Sequence, residues 1–101
     1  MKTKYKLMGN ENNGFQVFEA EGEEIVIPGF EDIRFIVHSK PDGWIVSELT
    51  TGLRLMPADT RSLAIDLAKS ALDNYSKEHV LEVLERAKST MNEWGAYPLN
   101  P

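Results

Sequence analysis

Cysteine is absent from this 101-residue chain, which excludes disulfides, thiolate metal sites and thiol nucleophiles. No apolar run approaches the roughly 18 residues that a membrane-spanning helix needs. The first residues, M-K-T-K-Y-K-L-M-G-N-E-N-N-G, are basic but carry no apolar core, so a secretory signal is not expected. The motifs of the common chemistries are missing too: there is no G-x-S-x-G, no phosphate-cradling glycine loop and no H-E-x-x-H. Basic residues are outnumbered, 11 Lys and Arg against 16 Asp and Glu. The net charge is −5, which argues against direct nucleic-acid binding, since displacing phosphate counterions takes a basic face. A soluble, cytoplasmic protein with no cofactor and no enzymatic activity is the expectation.

At 42% hydrophobic residues the chain suits one modest core. Its charge is unevenly spread. Glu11, Glu19, Glu21, Glu23, Glu24, Glu31 and Asp32 fall in a stretch that holds no Lys or Arg, whereas Lys2, Lys4 and Lys6 precede it.

Lys4–Leu7 alternates as a half-buried strand, and Gly9–Gly14 reads as a loop. Phe15–Ala20 and Glu24–Ile27 read as two further strands, with Glu21-Gly22 as the hairpin tip between them. Pro28-Gly29 suits a type II turn. Ile33–His38 and Trp44–Leu49 flank the turn Lys40-Pro41-Asp42-Gly43, and Thr50-Thr51-Gly52 leads into a last short strand, Leu53–Met56. Asp59 or Thr60 is placed to cap a helix whose Ala64, Leu67, Ala68, Ala71, Leu72 and Tyr75 share one face. Ser76 caps a second helix with the stripe Val80, Val83, Leu84, Ala87, Met91 and Trp94, and Tyr75 is expected to staple onto Val80. Gly95 stops it.

The expected fold is therefore α+β: an antiparallel meander of five or six strands, then two C-terminal helices packed on one face. Residues 1–95 form the domain and 96–101 a short tail that is either loose or docked through Tyr97 and Leu99.

The candidate functional groups each have a plain structural alternative. His79 and Glu82 stand at helical spacing, but two ligands do not make a metal site, and a solvated helix face explains them. His38 reads as a surface residue beside a turn. Trp44, with Glu48, Arg54 and Arg61 near in sequence, is either core or the aromatic wall of a partner pocket. Trp94, last in its helical stripe, is open in the same way. The acidic residues Glu19, Glu21, Glu23, Glu24, Glu31 and Asp32 are either a solvated sheet edge or a surface for a basic partner.

The segment W-I-V-S-E-L-T-T-G-L-R-L from Trp44 to Leu55, followed by T-R-S-L-A-I-D-L-A from Thr60 to Ala68, resembles small domains of unassigned function in prophage and mobile-element proteins. The resemblance implies a phage or mobile-element setting and carries no site residues. The expected function is that of a small non-catalytic protein–protein interaction protein. An acidic inhibitor of a nucleic-acid-binding enzyme and a homo-oligomeric structural protein, pairing through the Lys4–Leu7 edge or the Trp94 end, are the alternatives. The partner-binding candidates are Glu19, Glu21, Glu23, Glu24, Glu31, Asp32 and Trp94.

Overall fold

Alternating apolar residues on short strands separated by tight turns fold here as a four-stranded antiparallel meander. The computed structural model describes residues 3–11 and 14–100, with the side chains of Thr3, Met8–Glu11 and Gly14–Gln16 not described. Lys2, Asn12, Asn13 and Pro101 lie outside the described residues, as do the side chains of Glu11 and Phe15. Strand order is β1 (Thr3–Glu11), β2 (Gly14–Ile25), β3 (Phe35–Lys40) and β4 (Gly43–Glu48), each pairing with the next. Helices α1 (Arg61–Asp73) and α2 (Lys77–Glu93) follow.

The expected five or six strands are thus four. Phe15–Ala20 and the start of Glu24–Ile27 merge into the 12-residue β2, and Glu21-Gly22 lies in its interior instead of at a hairpin tip. The cause is a close approach. A Cβ built on Gly22 would stand 2.5 Å from the Val37 carbonyl oxygen and 2.8 Å from Ile36 Cδ1, so glycine here makes room for β3. Gly22 is also where β2 changes neighbours. Its register with β1 runs from Gly14 to Gly22, and its register with β3 from Gly22 to Ile25. The expected last strand, Leu53–Met56, is reduced to an isolated bridge of Arg54 with Ser47, and a second isolated bridge joins Ala58, just beyond it, to Trp44.

The turns fall where their residues dictate. Pro28-Gly29 makes the expected turn: the Phe30 N–H donates to the Ile27 carbonyl at 2.9 Å, with Gly29 at φ 86°. Thr60 caps α1 by accepting from the Leu63 N–H at 3.1 Å, and Ser76 caps α2 by accepting from the His79 N–H at 3.1 Å. Each cap contributes about 1 kcal/mol. The C-terminus of α2 closes in a Schellman motif, the Ala96 N–H donating to the Met91 carbonyl at 2.9 Å and the Gly95 N–H to Asn92 at 3.1 Å. Tyr75, beside the Ser76 cap, is exposed and stacks on His79, with ring centroids 5.0 Å apart.

The core divides between the two sheet faces. On one, Phe35, Val37 and Val46 meet Ala64, Ala68 and Leu72 of α1, Val80 of α2, and Ile27, Phe30 and Ile33 from the loop after β2. The small Ala64 and Ala68 let α1 lie close on β3 and β4. On the other face, Leu7, Ile36 and Leu49 cluster with Tyr5 and Ala20. Leu7 is on the first strand and Leu49 directly follows the fourth, so the sheet curls until its ends approach. The tail fastens that curl. Asn100 Nδ2 donates to the carbonyls of Lys6 and Leu49, each at 2.8 Å, and its Oδ1 accepts from the Lys6 N–H at 2.9 Å. The Leu99 N–H donates to the Thr50 carbonyl at 2.9 Å, and the Leu99 side chain is buried. The tail is docked, through Leu99 and Asn100.

Candidate partner-binding cleft

Strand periodicity places Glu19, Glu21 and Glu23 on the face of β2 that also carries Ile25 and continues into Val37 and Ser39 of β3. Ser39 pairs directly with Trp44 at the start of β4. The Trp44 N–H donates to the Ala58 carbonyl at 2.7 Å, and the Ala58 N–H returns a bond to Trp44 at 2.9 Å. This exchange pins residue 58 against β4, and the Thr60 cap then starts α1 immediately. Arg61, the first helical residue, is thereby delivered beside the sheet, where its Nη2 donates to Glu23 Oε2 at 3.0 Å. Glu21, Gly22, Glu23, Val37, Ser39, Trp44 and Arg61 enclose a cleft of about 80 Å³.

Two groups nominated separately by sequence therefore share one wall: Trp44 with Arg61, and Glu21 with Glu23. Trp44 is neither wholly core nor free. It is half-buried, packing against the main cluster while lining the cleft. The indole offers an aromatic surface, the carboxylates accept hydrogen bonds, and the Ser39 hydroxyl does either. These are groups for recognising a ligand by contact.

The other nominated residues do not join them. Glu19 faces Lys6 in the β1–β2 register, as Glu21 faces Lys4. Glu24 lies on the opposite sheet face and bonds Arg34 at 2.9 Å. Glu31 accepts from the Gly29 N–H at 3.0 Å, and hydrogen bonds from its own backbone and then from Gly29 hold its carboxyl below the ordinary range. Asp32 is held low chiefly by Lys77, whose Nζ lies 2.9 Å away. Trp94 caps α2, half-exposed, and does not line the cleft. The acidic stretch is thus interleaved with cations that come from β1, α1, α2 and the loop before β3.

His38 and Glu48 are buried polar groups whose burial the local sequence does not disclose. His38 is not on the surface; it is buried, with its Nε2 3.0 Å from Ser47 Oγ. Burial pushes its imidazole below the ordinary value, and Arg54 and Lys40 add to the effect. Ser47 is only 1% exposed, so the pair presents no nucleophile to a substrate. Glu48 is buried too, and its carboxylate accepts from the N–H groups of Thr50 at 2.6 Å and Thr51 at 2.9 Å and from the Thr50 hydroxyl. It fastens the turn after β4. Alternation along β3 and β4 places both residues at the right strand positions; His38 lies on the face that carries Ile36, where Leu7 and Leu49 close in, and Glu48 on the opposite face with Phe35 and Val46.

Among the described residues, no group of three or more His, Cys, Asp and Glu side chains is arranged to hold a metal ion, and no helix is long and apolar enough to cross a membrane. No family model, no curated protein and no solved structure matches the chain.

Proposed function

We propose that this chain is a small non-catalytic interaction protein that engages a protein partner through the cleft between β2, β4 and the start of α1. The observation that carries the reading is the convergence of Trp44, Glu21, Glu23, Ser39 and Arg61 on one concavity. Tryptophan is prominent among the residues that dominate protein interfaces because it combines a large apolar area with a directed N–H donor. A broad acidic surface that imitates nucleic acid has less support, because Lys6, Arg34 and Lys77 stand against Glu19, Glu24 and Asp32, outside the cleft.

The test is affinity capture from the native host with the wild-type chain and with a Glu21→Lys, Glu23→Lys double variant as baits. A protein retained by the wild type and lost by the variant, with unchanged thermal unfolding of the bait, supports the reading. Equal retention by both baits overturns it.

A further inference from the structure

The cleft also points to the chemistry of the group it receives. Resting on the partner-binding reading above, we propose that it takes the guanidinium head of an arginine side chain presented by the partner. At about 80 Å³ it admits the head of one side chain and not a whole residue. Its lining holds two carboxylates, Glu21 and Glu23, against one cation, Arg61, so an incoming cation is favoured over an anion. Among cations, a planar and weakly hydrated guanidinium stacks on an indole and reaches carboxylates with paired N–H groups. An ammonium has no such plane.

The chain itself holds one guanidinium–carboxylate contact at this wall. Arg61 Nη2 already sits 3.0 Å from Glu23 Oε2 at the cleft wall. Both side chains of that pair are substantially exposed, at 41% and 38%, so the contact is a weak surface ion pair, open to exchange. Arg61 is then a resident cation that a partner's arginine displaces or joins. Lys4 stands opposite Glu21 in the register, but it is exposed and does not line the cleft. Ser39 supplies a further acceptor at the rim.

The probe is a short blocked peptide, acetyl-Gly-Arg-Gly-amide, titrated into the full-length chain. Lysine, glutamate and citrulline versions serve as comparisons, citrulline being close in shape to arginine but uncharged. Backbone amide shifts of Glu21, Gly22 and Ser39 are followed in the wild type. Indole fluorescence is followed in a Trp94→Phe variant, in which Trp44 is the remaining tryptophan. The expected result is saturable binding of the arginine peptide with Kd on the order of a millimolar. The lysine, citrulline and glutamate peptides bind about tenfold more weakly or not at all. A Glu21→Gln, Glu23→Gln variant loses about tenfold in affinity. Arg61→Gln, which removes the resident cation, binds the arginine peptide more tightly than the wild type.

Binding of the citrulline or lysine peptide equal to that of the arginine peptide overturns the proposal, as does stronger binding of the glutamate peptide or no shift at the cleft with any peptide. The two levels fail separately. If charge reversal abolishes capture of the partner while no arginine peptide binds, the arginine assignment is wrong and the partner reading stands. If the arginine peptide binds and charge reversal leaves capture intact, the partner reading is wrong.

Discussion

Gly22 is the position on which the architecture of the β2 strand turns, and substituting it gives a prediction with a definite sign. A Cβ at this position would lie 2.5 Å from the Val37 carbonyl oxygen and 2.8 and 2.9 Å from Cδ1 and Cγ1 of Ile36. Real Cβ contacts essentially never fall under 3.0 Å, so β2 and β3 must separate by about 0.5 Å at Gly22→Ala. The obstructing atom is a backbone carbonyl of a central strand, and Ile36 is 0% exposed, so neither neighbour has free space to move into. Overpacking of this kind costs about 1–3 kcal/mol, and the stiffer unfolded chain returns about 0.4–1 kcal/mol. The net expectation is a loss centred on about 1.3 kcal/mol, or roughly 5–10 °C in Tm for a domain of this size. Urea unfolding followed by tryptophan fluorescence and far-ultraviolet circular dichroism reads the change as a lowered midpoint at constant slope. Gly22→Asn separates close approach from an ordinary turn. Asparagine suits a hairpin tip better than alanine does, but it is the bulkier residue in a crowded strand. The structure therefore ranks Gly above Ala above Asn. A wild-type midpoint for Gly22→Ala, or an Asn variant more stable than the Ala variant, refutes the close approach of β2 to β3.

Asn100→Ala removes the amide that joins the carbonyls of Lys6 and Leu49 and accepts from the Lys6 N–H, at an expected cost of about 1–2 kcal/mol. Faster hydrogen exchange at the Lys6 amide and a lowered urea midpoint check it; an unchanged midpoint contradicts the account of the tail as a fastening of the sheet. His38 gives a pH dependence. Its folded pKa lies below the ordinary value of 6.5, so the unfolded chain binds the proton first on acidification. The stability it contributes is fully present above about pH 6.5 and is lost as the pH falls through the folded pKa. Urea midpoints of the wild type therefore fall on acidification below about pH 6.5, and His38→Gln flattens that slope; a parallel slope in the variant contradicts the buried neutral imidazole. The low carboxyls of Glu31 and Asp32 lose their contributions only at more acidic pH, since their ordinary values are 4.5 and 3.8.

Local chemistry made much of this fold readable. The Lys40–Gly43 turn, the Pro28-Gly29 turn, the Thr60 and Ser76 caps and the Gly95 stop each depend on a few neighbouring residues, and each is where those residues direct. Gly22 is not legible locally, for the opposite reason. A glycine beside a glutamate between two apolar runs looks like a turn, and only Val37 and Ile36, which reach it through pairing with β3, show that it relieves a collision. His38 looked exposed because it ends an alternating strand; the curl that brings Leu7 toward Leu49 buries that face. For the site, sequence supplied the right residue types but not their grouping. Trp44 and Arg61 belong with Glu21 and Glu23 because Ala58 is pinned to β4 and α1 begins beside it. The cations that stand against Glu19, Glu24 and Asp32 are set by register and helix placement, so the acidic stretch looked more uniformly negative in sequence than it is in space.

The central claim is that a protein partner occupies the cleft lined by Glu21, Glu23, Ser39, Trp44 and Arg61, and site-specific photocrosslinking in the native host tests it most directly. A photoreactive residue in place of Ser39 sits at the cleft rim, whereas one in place of Ser89, exposed on α2 and outside the cleft, serves as the comparison. The account predicts one discrete cross-linked protein from position 39, absent from position 89 and lost when Glu21→Lys and Glu23→Lys are added. No discrete product from position 39, or the same product whatever the charge at Glu21 and Glu23, contradicts it.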